Sequence, residues 1–335
     1  MVNRTLVIAE IGVNHDGKIL KAKKLVKAAA KAGADIVKFQ IFRAENLVTK
    51  KVKKAQYQLH KSKGNKNQFQ MLKKLELSEK DFFSLKRFCN KQKVEFCASC
   101  FDLDSSKLLK KLNPKRLKIP SGEITNFLLL KKLASFKKKI ILSTGMSNLR
   151  EIKESLKLLL SSGSKLSDIT LMQCNTEYPT PLRDVNLKVI EQLKENFKIN
   201  VGYSDHTRST ETPIAAVALG AKVIEKHLTL NRKSEGPDHQ ASLIPHEFAE
   251  MVKSIRNVEI ALGKKNKTIT NSEKKNIKIV RKSIVASKFI KKNQKFSLEN
   301  VTAKRSGIGI SPMNIMKVIN KKAKKNFKAD EIIKI

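Results

Sequence analysis

Apolar residues gather in eight short runs, and most are followed by a stretch with apolar positions at helical spacing. The runs are TLVIAEIG (5–12), ADIVKFQIF (34–42), VEFCASCFD (94–102), KRLKIPSGE (115–123), KKIILSTGM (138–146), DITLMQCNTEYP (168–179), INVGYSDH (199–206) and AKVIEKHLTL (221–230). Their length and β-branched content predict buried strands, and the intervening spacing predicts helices over 18–33, 78–92, 104–112, 126–136, 148–163, 184–196, 210–220 and 245–262. Eight strand–helix units in about 260 residues match a (β/α)8 TIM barrel in both count and size. The alternative, an open doubly wound sheet, expects G-x-G-x-x-G after its first strand; this chain has GVNHDG there. The polar stretch 43–77 predicts a loop with short helical pieces, of a length that usually shapes or covers a site. From Gly263 onward the character changes. Residues 264–280 read as a lysine-rich linker, and 281–335, with short β-like runs broken by turns, as a small mainly β domain.

Polar residues collect at the downstream ends of these runs, the end where a barrel carries its chemistry. Side chains alternate along a strand, so Ser204 shares a face with His206, and Glu225 with His227. Neighbouring parallel strands would bring both imidazoles to one mouth, a donor set suited to a divalent transition metal. Lys38 and Lys118 interrupt apolar runs. Their bland reading is a buried ion pair with Glu10 or Glu123. The sharper one is an anion site, because Ser121-Gly122 and Ser143-Thr144-Gly145 lie at the same end and small turns let backbone N–H groups approach an oxyanion. The segment GPDH reads either as a plain turn or as a turn that presents Asp238 toward the mouth. His15, in NHDG, is read as a pocket or surface residue, and His60 and His246 as surface.

Composition narrows the class. A net charge of +40 raises the question of nucleic acid. The charge is spread along the chain, is mostly lysine, and comes with no Trp and three Tyr, so the stacking and bidentate groups that read bases are scarce. A basic nucleic-acid-binding protein is therefore the weaker reading, and a solvated surface that steers anions the stronger. Four cysteines are too few for a disulfide scaffold, and Cys97 and Cys100, three apart on one strand, point to opposite faces. No run has the length of a membrane span or the pattern of a signal peptide, so a reduced, cytoplasmic setting is expected.

The segments AEIGVNHDG, VKFQ, KIPSGE, LSTGM, YPTP, GYSDHT, EKH and EGPDH, in that order, resemble the signature segments of the sialic acid synthase family. KRSGIG at 304–309 resembles part of the antifreeze-like SAF domain those enzymes carry. The EGPDH form looks nearer to the neuraminate and legionaminate branches than to the pseudaminate branch. The resemblance implies condensation of phosphoenolpyruvate with an N-acyl mannosamine-type sugar, and a domain-swapped homodimer. It implies that His206 and His227 hold Mn2+, with Mg2+ or Co2+ as substitutes, and that Lys38, Lys118, Ser121, Ser143 and Ser204 hold phosphoenolpyruvate with Gln40 and Ser99 nearby. Glu10 and Glu123 would act catalytically, Tyr178 and Asp238 would contact sugar hydroxyls, and Arg305 of the small domain would touch the N-acyl group. Two departures stand out. Ala98-Ser99-Cys100 replaces the S-T-P often found on the third strand, and the order in CNTEYP leaves either Asn175 or Thr176 as the phosphate-side contact. Another phosphoenolpyruvate-dependent keto-sugar-acid synthase is the second enzymatic reading, which KRSGIG argues against.

Overall fold

The computed structural model describes residues 4–50, 52 and 67–335. All eight apolar runs form strands: β1 (Leu6–Gly12), β2 (Ile36–Ile41), β3 (Glu95–Cys100), β4 (Arg116–Ile119), β5 (Lys139–Ser143), β6 (Ile169–Cys174), β7 (Asn200–Asp205) and β8 (Val223–His227). They pair in parallel in chain order, and β8 closes on β1 with His227 opposite Glu10. The outer helices are α1 (Ile19–Lys31), α2 (Ala44–Leu47), α3 (Gln68–Leu75), α4 (Glu79–Lys91), α5 (Leu103–Leu112), α6 (Phe127–Ala134), α7 (Leu149–Ser161), α8 (Val189–Phe197), α9 (Glu211–Ala218) and α10 (Pro245–Ala261).

Local chemistry sets the helix ends. Ser78 with Asp81, and Asn148 with Glu151, form reciprocal caps at the starts of α4 and α7, satisfying N–H groups that the first turn leaves free. Asp102 caps α5, and Asn113 ends it in the left-handed region. The helix expected over 184–196 starts later, at Val189, because Leu182–Asp184 winds into a tighter 3-10 turn. The large core lies between strands and helices, and it includes Val7, Leu25, Phe39, Leu85, Leu109, Leu133, Ile190, Tyr203 and Phe248.

Inside the barrel the filling is layered. Ile8, Ile36, Cys97, Ile141, Met172 and Val223 form a separate apolar cluster. Two positions further along each of these strands stand Glu10, Lys38, Ser99, Ser143, Cys174 and Glu225, which strand periodicity turns to the same interior face. Lys118 and Ser204 take the corresponding places on β4 and β7. Cys97 belongs to the interior cluster and Cys100 to the outer core, so the two thiols do face opposite ways. All four cysteines are free.

By internal packing the chain divides into two units, Met1–Gly263 and Lys264–Ile335. The second begins with a helix, α11 (Asn271–Val280), where the sequence suggested only a linker. Thr270 and Glu273 form its capping box, and none of its residues is buried, so local capping was the one signal in the chain for it. Next come β9 (Lys282–Ala286) and β10 (Val301–Arg305), paired antiparallel, around a core that includes Ile284, Ile290, Phe296, Val318, Phe327 and Ile333. No helix among the described residues is long and apolar enough to cross a membrane.

Candidate active site

At the C-terminal ends of the strands lies a cavity of about 510 Å3. Of the residues picked out from the sequence, Lys38, Gln40, Ser99, Lys118, Ser121, Ser143, Tyr178, Ser204, His206, His227 and Asp238 line it. Four do not. Glu10 is fully buried behind Lys38. Glu123 lies in the 3-10 turn after β4 and accepts from Asn126 Nδ2 at 2.7 Å. Asn175 is occupied in its loop, its Oδ1 accepting from the Glu177 N–H at 2.8 Å, while Thr176 lines the cavity. Arg305 is an exposed residue at the end of β10 in the second unit.

The floor of the cavity is a chain of alternating charges. Lys38 Nζ is 2.8 Å from Glu10 Oε2 and 3.6 Å from Glu225 Oε1, and Lys118 Nζ is 2.7 Å from the same Glu225 oxygen. All four side chains are buried, so each charge would be costly without these partners. The ion pairs anticipated for the lysines thus form, but Lys118 pairs with Glu225 rather than Glu123. Burial opposes the charge on Glu225, yet the two ammoniums outweigh it and hold its carboxyl well below the usual range. Burial, reinforced by the negative charge of Glu225, pushes the Glu10 carboxyl up despite Lys38. Lys38 remains an ammonium, because its two carboxylate neighbours overcome its burial. Gln40 donates to Glu10 Oε1 at 2.8 Å. Gly12 makes room for this pair: its φ is +30°, and a Cβ there would lie 2.2 Å from Glu10 Oε1 and 2.6 Å from Gln40 Nε2.

Small hydroxyls ring the two ammoniums. Ser204 donates to Glu225 Oε1 at 3.0 Å. Ser121 Oγ accepts from the Gly145 N–H at 3.0 Å and lies 3.1 Å from Cys174 Sγ. A Cβ at Gly145 would come within 3.0 Å of both groups, so glycine lets the β5 turn close down on them. Ser143 Oγ and Glu225 Oε2 are buried and have no hydrogen-bond partner among the described residues.

Above this layer the imidazoles of His206 and His227 stand with ring centroids 5.4 Å apart. His206 Nδ1 contacts the carbonyl of Asn175. A carbonyl can only accept, so Nδ1 carries the proton and Nε2 presents a lone pair. That lone pair accepts from Tyr178 Oη at 3.1 Å, and the two rings stack at 4.1 Å. His227 Nδ1 is buried, has no hydrogen-bond partner among the described residues, and lies 3.6 Å from Asp238 Oδ2. Burial lowers the His206 pKa to about 4 and holds that of His227 well below the usual imidazole value, with His206 and Lys38 adding to the effect on the latter. Both rings are therefore neutral near pH 7, the state in which imidazole binds metal. Among the described residues no group of three or more His, Cys, Asp or Glu gathers as a closed metal cage, so an ion here would draw its remaining ligands from water or substrate.

The family model described as NeuB family matches residues 25–267, and the SAF domain model matches 281–335. The chain belongs to the NeuB family. It is 51% identical to the N,N'-diacetyllegionaminic acid synthase of Campylobacter jejuni, over 99% of this chain and 100% of that protein. It is 42% identical to the enzyme of the same name from Legionella pneumophila, over 96% of this chain and 91% of that one. A crystal structure of N-acetylneuraminic acid synthetase from Leptospira borgpetersenii superposes with a TM-score of 0.72 at 32% identity, covering 82% of this chain and 91% of that chain. The protein is thus a transferase of the nonulosonate synthase type.

Sequence reasoning missed several lining residues. Glu225 was legible, since it shares a strand face with His227, but it was left out of the site. Cys174, at the end of β6, also lines the cavity, as do Met71, Leu72 and Leu75 of α3, which form an apolar wall. That helix belongs to the polar excursion, of which 51 and 53–66 lie outside the described residues. His15 is neither a pocket nor a surface residue. It is buried, with Nδ1 accepting from the Gly17 N–H at 3.1 Å. His246 is exposed as expected, and His60 lies outside the described residues.

Proposed function

We propose that the protein condenses phosphoenolpyruvate with an N-acyl mannosamine-type sugar, with 2,4-diacetamido-2,4,6-trideoxymannose as the first candidate and N-acetylmannosamine as the second. The observation that carries this is the pair of buried ammoniums, Lys38 and Lys118, facing one cavity among serine hydroxyls. The 51% identity to a diacetyllegionaminate synthase favours the first sugar.

In this reading Lys38, Lys118, Ser121, Ser143 and Ser204 bind the phosphate and carboxylate of phosphoenolpyruvate, with Gln40, Ser99 and Thr176 beside them. Glu225 spaces the two ammoniums and offsets part of their charge while the anion is away. The enol carbon adds to the aldehyde carbon of the open-chain sugar, water adds at the former enol-ether carbon, and the bond from that carbon to the phosphate oxygen breaks. Glu10, paired with Lys38 and with its carboxyl pushed up by burial, takes the acid–base role in this reading. Tyr178 and Asp238 face the sugar hydroxyls. His206 Nε2 and His227 Nδ1 fit two ligand positions of a divalent cation, Mn2+ or alternatively Mg2+ or Co2+, which when bound would supply Lewis-acid polarisation of the aldehyde. Arg305 would meet the N-acyl group if the second unit of a partner copy closes the site in a homodimer. Glu123, bonded to Asn126 away from the cavity, has at most an indirect part.

Purified protein should release inorganic phosphate only when phosphoenolpyruvate, sugar and divalent metal are all present. Mass spectrometry should find the nine-carbon keto acid, formed faster from the diacetamido sugar than from N-acetylmannosamine. No phosphate release with either sugar would refute the reading. Paramagnetic resonance titration with Mn2+ tests the imidazoles separately: bound signal in the wild type should be lost in His206→Ala.

A further inference from the structure

The NHDG segment (14–17) lines no part of the cavity, although Val13 just before it does, and His239 of EGPDH is fully buried. The two segments are nevertheless locked together. His239 Nε2 is 3.0 Å from Asp16 Oδ1, and its Nδ1 is 2.6 Å from Thr229 Oγ1. Lys21 pairs with the other Asp16 oxygen. Gly236 has a φ of +149°, and a Cβ there would lie 2.8 Å from the His239 ring, so the glycine lets that ring pack under its own loop. A second link runs in parallel. Ser242 Oγ donates to the Asp238 carbonyl at 2.7 Å and accepts from Asn14 Nδ2 at 2.9 Å, while Asn14 also donates to the Leu228 carbonyl at 3.0 Å. Asp238 itself lines the cavity beside His227. Its carbonyl is therefore tied through Ser242, and the residue following it is tied through His239, both to the first βα loop.

We propose that Asp16 and His239 are positioning residues: they set the Asp238 carboxylate at the sugar end of the cavity, so that the NHDG loop governs sugar binding without touching sugar. The inference rests on the reading of Asp238 as a sugar contact. A carboxylate displaced by about 1 Å loses much of its orienting effect, so the consequence belongs to the sugar and not to phosphoenolpyruvate, whose ammoniums stand on β2 and β4.

Asp16 has a φ of +53°, a conformation glycine and asparagine both accept. Asp16→Gly therefore removes the carboxylate without backbone strain, and Asp16→Asn keeps an acceptor for His239. Steady-state kinetics on the full chain should show the amino-sugar KM rising roughly tenfold in Asp16→Gly, with the phosphoenolpyruvate KM within about twofold. Asp16→Asn should restore the wild-type sugar KM, and Lys21→Ala should leave it unmoved. An active Asp16→Gly enzyme with an unchanged sugar KM, or with both KM values rising together, overturns the inference alone. If Asp16→Gly does not fold, Ser242→Ala cuts the parallel link and must show the same selective rise; an unchanged sugar KM there also overturns it. A wild-type protein that turns over neither sugar overturns the synthase reading, and this inference with it.

Discussion

Two layers of the barrel interior, one residue pair apart on the same strands, have opposite chemistry. The lower holds Ile8, Ile36, Cys97, Ile141, Met172 and Val223, and the upper Glu10, Lys38, Ser99, Ser143, Cys174 and Glu225. The lower layer is stabilised by burying apolar surface, which asks only for volume and fit. The upper layer spends stability on desolvated charge and recovers it through ion pairs whose geometry is fixed by strand register. The difference separates two kinds of packing within one closed sheet: strand pairing places both layers, and only the second contributes residues to the cavity wall.

The comparison breaks most sharply at Lys118. Lys118→Met should lower the phosphate-release rate by about 10^3-fold, as loss of a charged group at a reacting phosphate does. It should also cost about 3 kcal/mol of stability, because Glu225 is left buried beside one ammonium rather than two; denaturant melts check this. Adding Glu225→Gln to that variant removes the exposed liability. The double variant should regain most of the lost stability and none of the activity. If the two substitutions simply add in stability, Lys118 and Glu225 are not coupled as their 2.7 Å separation implies.

A smaller effect concerns acid. His15, buried beside the first βα loop, has its pKa lowered to about 4 by burial. The unfolded chain takes up that proton near pH 6.5, whereas the folded chain resists until about pH 4. Stability is thus whole above pH 6.5 and is lost progressively as pH falls toward 4. Melting temperatures across that interval should decline; His206 and His227, also held neutral by burial, contribute, so His15→Asn should lessen the decline without abolishing it. The smallest effect belongs to the lower layer. Ile141→Val should cost about 1 kcal/mol and leave the turnover rate within about twofold.

The barrel was readable because eight β-branched runs with polar downstream ends leave few other architectures. Lys38, Lys118, His206 and His227 were readable because a charged or imidazole side chain inside an apolar run needs a reason. What stayed hidden depends on distance in space. The partner of Lys118 is 107 residues away, and no local pattern distinguishes Glu225 from Glu123 for that place. Asn175 and Thr176 are neighbours in sequence, and only the fold of the loop decides which faces the cavity. His15 of the NHDG segment was read as a pocket or surface residue, yet the segment's other polar groups turn inward to Ser242 and His239, a pairing 223 residues apart for Asp16. The α11 helix was missed because its apolar content is low, although its T-x-x-E cap was present.

The central claim, that the paired ammoniums of the upper layer form the anion site, is tested most directly by calorimetric titration with phosphoenolpyruvate in the absence of sugar. The account predicts one anion bound per chain by the wild type, and binding at least about 100-fold weaker, or undetectable, in Lys118→Met. Equal affinity in the two proteins would contradict it.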